Sequence, residues 1–588
     1  MKKIYVSICA LAISFSAIAQ LSLENFTMGE KQKSHAATLF NTEKSSPFWS
    51  EDFSNGIPVT WTNSLAPWVY RGPSTVPNVS TGSQGAYGTN SGTISSPTAS
   101  SGFLIFDSDY YDNNGMQGNF GNGPYPTPHN GDLKTDMIDL SLYPDVMVKL
   151  NSYFRTFQGQ AFLRFYVNGM FDSEVEVHSD IDVNDSSPQD AVLLVRMPTS
   201  VPGNANVQIE FQFNGTDQSN ANGMGYYFWM IDDIELIETP AYLADVIDVV
   251  HGGWNSTPVS QGFGMDYTMK PLIQSNANPY TFEMIIANIG ANDLTGTQMN
   301  VEVYDGSNTQ VFSSNSTPTT LTTLDTMVFV ADQTYAPANT GLYEMVFWGS
   351  TDSILYTDSS YMQALITDTV YARDYGTPDG AWRVGRSCGG MQVGNIFDVY
   401  AADNLTSVSA HVADYSVAGA NMFAVLYEVD TTASPMGFIF IDQTDDYTIQ
   451  AADIDNWVTI PFLSPIPIDP QFGQQYMIAI GGYASPIDTF GISVSGDSEV
   501  TMSRIQDNGC NLGTQPFGYW YWISNTPMVR MNFGDGTTPP PTGLHEHNLE
   551  RTLIKITDVL GREVKENKIG PLLYIYDDGT VQKKIILE

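Results

Sequence analysis

Apolar and polar residues alternate with a period of two along most of this chain. In Val207-Gln208-Ile209-Glu210-Phe211-Gln212-Phe213, Val, Ile, Phe and Phe fall on one side and Gln, Glu and Gln on the other. That pattern predicts a half-buried antiparallel strand. The run 162–167 leads into Asn168-Gly169, a hairpin turn signal. Further strands are expected at 227–236, 280–290, 299–306, 341–348, 422–427, 475–480 and 528–533. No run keeps a helical period beyond two turns, and no short repeat is evident. The expectation is an all-β chain of tandem β-sandwich domains, jelly-roll and immunoglobulin-like, with a small C-terminal β domain.

Punctuation divides the pattern. Residues 1–19 combine Lys2-Lys3, an apolar run and Ala17-Ile18-Ala19. This is the form of a secretory signal peptide, with cleavage between Ala19 and Gln20. The apolar run is shorter than the ~20 residues of a spanning helix, and no later stretch qualifies, so no transmembrane segment is expected. Residues 20–45 read as a loose leader. Sandwiches are expected over 46–240, 241–365 and 366–535. A Pro-rich linker, Gly536-Thr537-Thr538-Pro539-Pro540-Pro541-Thr542-Gly543, then separates a tail at 544–588.

Charge sharpens the picture. The 588 residues carry 24 Lys+Arg against 64 Asp+Glu, a formal charge of −40. Nucleic-acid binding is disfavoured, because neutralising phosphates needs a basic face. Only twelve of the basic residues lie between 45 and 543, whereas the tail is nearly neutral. Once the signal peptide is removed, Cys388 and Cys510 remain, and in an exported chain the two could pair as a disulfide.

Two segments resemble known families. Phe48-Trp49-Ser50-Glu51-Asp52-Phe53, then Trp61, with Trp229, Asp232, Asp233 and Ile234 about 170 residues later, resembles the opening and closing strands of MAM-like "cleaved adhesin" jelly rolls. The family's usual Ser-x-Asp-Gly-Gly turn is not visible between them. The tail resembles the C-terminal sorting domain of type IX secretion cargo through Gly561-Arg562-Glu563 and Lys583-Lys584-Ile585-Ile586. It lacks that family's upstream Pro-Asn-Pro. The second resemblance implies type IX secretion machinery as a partner and delivery through the periplasm to the surface or medium.

Candidate chemistry is sparse. Gly385-Arg386-Ser387-Cys388-Gly389 fits a hydrolase Gly-x-Ser-x-Gly, yet no βαβ pattern surrounds it, and His411 and Asp414 fall together on one expected strand rather than near Ser387. No histidine spacing suits zinc, His545 and His547 included. Calcium is the better metal: Asp107-Ser108-Asp109-Tyr110-Tyr111-Asp112 clusters carboxylates, with Asp107 and Asp109 expected on one strand face. The jelly-roll resemblance implies calcium between first and last strands, beside Glu51 and Asp232 or Asp233. The expected metal set is Glu51, Asp107, Asp109 and Asp233, with Asp180 to Asp185 a weaker second loop. In Tyr519-Trp520-Tyr521-Trp522, Trp520 and Trp522 share one strand face and the tyrosines the other. One face belongs to the core and the other is free for a sugar or partner. The chain reads as an exported binding or adhesion protein for glycan or protein. The alternatives are a glycosidase-like hydrolase whose carboxylate pair is not located and a structural surface component.

Overall fold

The computed structural model describes residues 46–125, 128–179, 181, 184–215, 225–250, 267–354, 357, 359–387, 389–433, 436–470, 474–485, 487, 489–499, 501–507, 518–534, 553–558, 570–576 and 581–586. The fold is nearly all β, and its only α-helices among these residues are the six-residue Ser108–Asn113 and Leu272–Ala277. None is long and apolar enough to cross a membrane. Residues 26–538 form one compact unit and 539–588 belong to another.

The first pair of sheets comes from 49–238. One has the order Val69–Arg71, Phe103–Asp107, Tyr227–Glu238, Val146–Thr156 and Val192–Arg196, with Trp49–Glu51 also on Tyr227–Glu238. The other runs Thr62–Asn63, Asn130–Lys134, Val207–Asn214, Gln160–Val167 and Met170–Val177. Neighbours far apart in sequence are the mark of a jelly-roll-like sandwich. Alternation drives the assembly: Leu104, Phe106, Leu150, Phe154, Trp229 and Ile231 of one sheet meet Leu163, Phe165, Ile209, Phe211 and Phe213 of the other. Asn168 and Gly169 turn the Gln160–Val167 hairpin with φ of 52° and 77°, the left-handed pair that a two-residue type I′ turn requires. The strand 207–213 departs from expectation on its polar side. Glu210 and Gln212 are also buried, because Glu210 takes Lys134 Nζ at 3.0 Å and Gln212 donates to Asp132 at 2.7 Å.

A second sandwich pairs Ala244–Val250, Glu283–Asn288 and Thr326–Val330 with a sheet ordered Met269–Pro271, Ser360–Thr367, Gly341–Ser350, Leu294–Asp305 and Gln310–Asn315. Met284, Ile286, Met299, Val301, Met345 and Phe347 fill its core. The third is the largest. One sheet runs Val370–Tyr371, Val529–Phe533, Asp403–Val412, Gly491–Asp497 and Gly380–Arg383. Its partner runs Gly437–Gln443, Asn421–Asp430, Gln474–Gly482, Met391–Val399, Ser503–Asp507 and Trp520–Ile523. The inter-sheet core holds Val393, Leu426, Ile478, Ile480, Ile505, Ile523, Val529 and Met531. The separate tail unit contains a sheet ordered Leu553–Asp558, Gly570–Tyr576 and Val581–Ile586.

The second and third sandwiches are joined by a buried cation. Lys270 is fully buried, donates to the Asn278 carbonyl at 3.1 Å, and lies 4.9 Å from the Tyr280 ring and 5.7 Å from the Tyr400 ring. Tyr267 OH accepts from the Asp398 backbone N–H at 2.8 Å, and Gln274 Oε1 accepts from Tyr400 N at 2.9 Å. Burial pushes Lys270 down to about 7, partly opposed by Asp398, while burial pushes Asp398 up to about 6. An unfolded lysine holds its proton to a pH near 10.5, so from about pH 7 to 10 the unfolded chain binds more protons and stability rises with pH. Tyr267 and Tyr371 are raised by burial well above their usual range, so the folded chain keeps protons that the unfolded one loses only above that window. Lys270→Met is therefore expected to raise the urea midpoint at pH 7 and to abolish its increase between pH 7 and 9.5. An unchanged slope in the variant would assign the increase to other groups.

Candidate ligand-binding groove

The carboxylates expected to share a metal are each occupied by the chain itself. Asp107 ends its strand and caps helix Ser108–Asn113, accepting from Tyr110 N. It also accepts from Ser83 Oγ and Gln84 N, both at 2.7 Å, and faces Arg71 at 3.9 Å. Burial pushes its carboxyl up to about 6. Asp109 lies on the helix and accepts from Tyr87 N at 2.8 Å, Gly88 N at 2.7 Å and Asn113 Nδ2 at 2.6 Å. The two aspartates therefore do not share a strand face, because the helix begins between them. Glu51 accepts from Phe53 N at 2.8 Å, and burial raises its carboxyl. Asp233, at a bulge of the closing strand, accepts from Thr98 Oγ1 at 2.7 Å. Among the described residues, no three His, Cys, Asp or Glu side chains are grouped to hold a metal ion. Of the second acidic loop, Asp180 and Asp182 lie outside the described residues, as do Cys388, Cys510, His545, His547, Ala19 and Gln20.

The hydrolase-like motif does not assemble either. Ser387 is exposed, with strand Met391–Val399 as the next element rather than a helix. His411 is buried and bonds Ser493 Oγ at 2.9 Å through Nδ1, whereas Asp414 is exposed. Carboxylates do meet elsewhere. A cleft of about 330 Å³ between the first and third sandwiches is lined by Asp185, Asp379, Asp497 and Trp382. Burial raises the Asp379 carboxyl, and Asp185 adds to the rise.

The most developed groove lies on the outer side of the six-strand path in the third sandwich. Trp520-Tyr521-Trp522-Ile523 forms the edge strand, with Ile523 in the inter-sheet core and Tyr521 packed against it. Alternation therefore turns Trp520 and Trp522 outward. Strand Ser503–Asp507 follows the same rule: Ile505 points to the core, and Arg504 and Gln506 pair in register with Trp522 and Trp520. The edge strands Gly437–Gln443 and Trp520–Ile523 have four strands between them, a flat separation of roughly 24 Å at ~4.8 Å per step. The rings of Phe438 and Trp520 nevertheless lie 5.0 Å apart, and Tyr427 meets Trp520 at 5.7 Å. The sheet is thus strongly curled, and its outer side is concave.

The hollow has a volume of about 440 Å³ and is lined by Met436, Phe438, Arg504, Gln506, Tyr519 and Trp520, with Gly437 and Gly518. Its polar lining residue Gln506 is tied into a chain of hydrogen bonds that runs beyond the hollow. Tyr427 OH donates to Gln392 Oε1 at 2.9 Å, Gln392 Nε2 to Gln506 Oε1 at 3.0 Å, and Gln506 Nε2 to the Gly518 carbonyl at 3.0 Å. Trp522 stands 48% exposed beside it, extending the aromatic surface. The sequence pointed to the tryptophans but not to Phe438, Met436 or Arg504. The one local signal for Arg504 was an isolated cation alternating with Ile505 in a strand.

No protein-family model and no curated protein matches the sequence. Among solved structures, the chain is similar to Bacteroides uniformis β-glucuronidase 2 covalently bound to cyclophellitol-6-carboxylate aziridine, with 10% identity and a TM-score of 0.23 over 56% of this chain and 33% of that one. Parabacteroides merdae β-glucuronidase is similar at 11% identity and a TM-score of 0.23, over 48% and 32%. A GH2 β-galacturonidase from Eisenbergiella tayi bound to glycerol follows at 12% and 0.22, over 44% and 37%. The chain spans about a third of the length of each.

Proposed function

We propose that this is an exported, modular binding or adhesion protein that holds a saccharide in the concave groove of its third sandwich. The observation that carries this reading is the pairing of Trp520 and Phe438 across the curled sheet, beside Gln506, which Gln392 holds by a hydrogen bond. A pyranose has apolar C–H faces and a rim of hydroxyls, so it suits flat rings flanked by amide donors and acceptors. The volume falls within the ~300–1,000 Å³ of small-ligand sites. A glycan array probed with the mature chain, residues 20–588, tests it. Trp520→Ala is expected to lower binding to the retained glycans at least tenfold while leaving the melting temperature within a few degrees. Equal binding by wild type and variant, or no glycan retained by either, would remove the groove as a sugar site.

The tail is, in the same reading, the address that directs export by the type IX machinery. A composition change across a Pro-rich linker and a separate compact unit support it. A chain ending at 543 is expected to fold and to accumulate in the periplasm. Normal surface delivery of that truncation would defeat the assignment. The hydrolase alternative is favoured by one feature, the cleft where Asp185 and Asp379 meet beside Trp382. Glycan cleavage by the wild type that is lost in Asp379→Asn would move the reading from binding to hydrolysis.

A further inference from the structure

Four arginines of the described body are buried: Arg71, Arg373, Arg504 and Arg530. Three face a carboxylate. Arg71 faces Asp107 at 3.9 Å, Arg373 contacts Glu499, and Arg530 meets Asp374 at 2.6 Å. Arg504 is only 9% exposed, yet among the described residues no carboxylate pairs with it. Its Nη2 donates to the Met436 sulfur at 3.7 Å, a weak acceptor. Its Nε is buried with no hydrogen-bond partner. A guanidinium held this way forfeits hydration without a compensating acceptor. Shortage of acids does not explain it, since the chain has 64 acids to 24 bases. The other three each face a carboxylate, although Nε of Arg71 and of Arg373 is also buried without a hydrogen-bond partner. Arg504 differs from them in facing no carboxylate among the described residues and in lining an open hollow.

The surroundings define what the missing partner looks like. Arg504 lies beside a strand that turns two rings to its side, Trp522 directly opposite and Trp520 two pairs further along. The Phe438 ring is 5.9 Å from its guanidinium. Burial lowers the Arg504 pKa, with the Tyr519 hydroxyl acting against the drop, and even so an arginine remains cationic at any physiological pH. The planar fork of a guanidinium matches a carboxylate through two parallel N–H···O bonds. We infer that Arg504 is the anion-recognition residue of the groove, and that the saccharide bound there is acidic, presenting a ring carboxylate to Arg504 while its apolar face lies on Trp520. This inference rests on the sugar reading above and narrows it to uronic-acid-type glycans.

The test compares acid with ester, so that its central arm needs no variant. Calorimetry would measure the mature chain against oligogalacturonate and oligomannuronate, each beside its methyl ester, at two salt concentrations. The wild type is expected to bind at least one acid tenfold or more tightly than its ester and to lose part of that margin in added salt. Arg504→Gln is expected to bind acid and ester alike, and Arg504→Lys to keep a reduced preference. Circular dichroism checks that both variants fold. Wild-type binding of ester and acid with equal affinity would overturn the inference while leaving the sugar reading in place. Binding of neither acids, esters nor neutral glycans would overturn both. An acid preference that survives in a folded Arg504→Gln would place recognition on another residue.

Discussion

Asp374→Ala is expected to destabilise the third sandwich by about 3–5 kcal/mol, the range for removing one partner of a buried ion pair. Asp374 and Arg530 are both buried, at 0% and 1% exposure. Their contact is bidentate, Arg530 Nη2 to Oδ1 at 2.6 Å and Nε to Oδ2 at 2.9 Å. The guanidinium also sits 3.9 Å from the Trp457 ring. Alanine removes the anion and leaves the buried cation without its carboxylate, which is why the loss exceeds the net worth of the pair. The double variant Asp374→Leu/Arg530→Met removes both charges and is expected to recover most of the stability. Chemical denaturation of the three proteins measures this. A single variant that loses less than about 1 kcal/mol would mean that solvent or another acid reaches Arg530.

Trp229→Ala is expected to cost the first sandwich about 3–5 kcal/mol, the usual range for a large buried aromatic cut to alanine. Trp229 is fully buried, with Trp68 at 5.3 Å and Phe154 and Phe211 each at 6.3 Å between ring centroids. Its indole N–H donates to Ser152 Oγ at 2.8 Å, and that oxygen also meets His178 Nε2 at 2.7 Å. Trp229→Phe keeps most of the apolar volume and loses the donor, so a smaller loss of about 1–2 kcal/mol is expected. Thermal unfolding of the alanine and phenylalanine variants separates the two contributions. Equal losses would place the role of Trp229 in its hydrogen bond rather than in its packing.

Local signals carried much of this fold. Alternation of the kind in 207–213 and the Asn168-Gly169 turn operate within a few residues, and both appear in the structure where the pattern put them. The two faces of Trp520-Tyr521-Trp522 were equally legible, because a strand separates odd from even positions. What the sequence did not disclose depends on contacts far apart along the chain. Curling of a sheet, which brings Phe438 to Trp520, follows from the packing of six strands and has no local marker. The isolation of Arg504 is a property of everything around it, so no motif could announce it. Asp107 and Asp109 illustrate the opposite difficulty. Their acidic, turn-forming neighbourhood suits a metal loop and a helix N-terminus alike, and the loop 83–88, whose N–H groups and Ser83 hydroxyl occupy both carboxylates, lies some twenty residues upstream.

The chain enters and leaves the first sandwich on adjacent strands: Trp49 pairs with Leu236 and Glu51 with Ile234, and Phe48 N–H still bonds the Leu236 carbonyl. When a chain is pulled from both sides of a domain, tension enters it through those two ends. Here they point the same way out of one antiparallel pair, so the load falls on its hydrogen bonds one after another, as in opening a zipper, and not on all of them together in shear. The three-residue strand Trp49–Glu51 would peel first and at low force, lengthening the tether while the sheets behind it stay closed. A module wired in this way yields slack early under tension and reserves its larger core for higher loads.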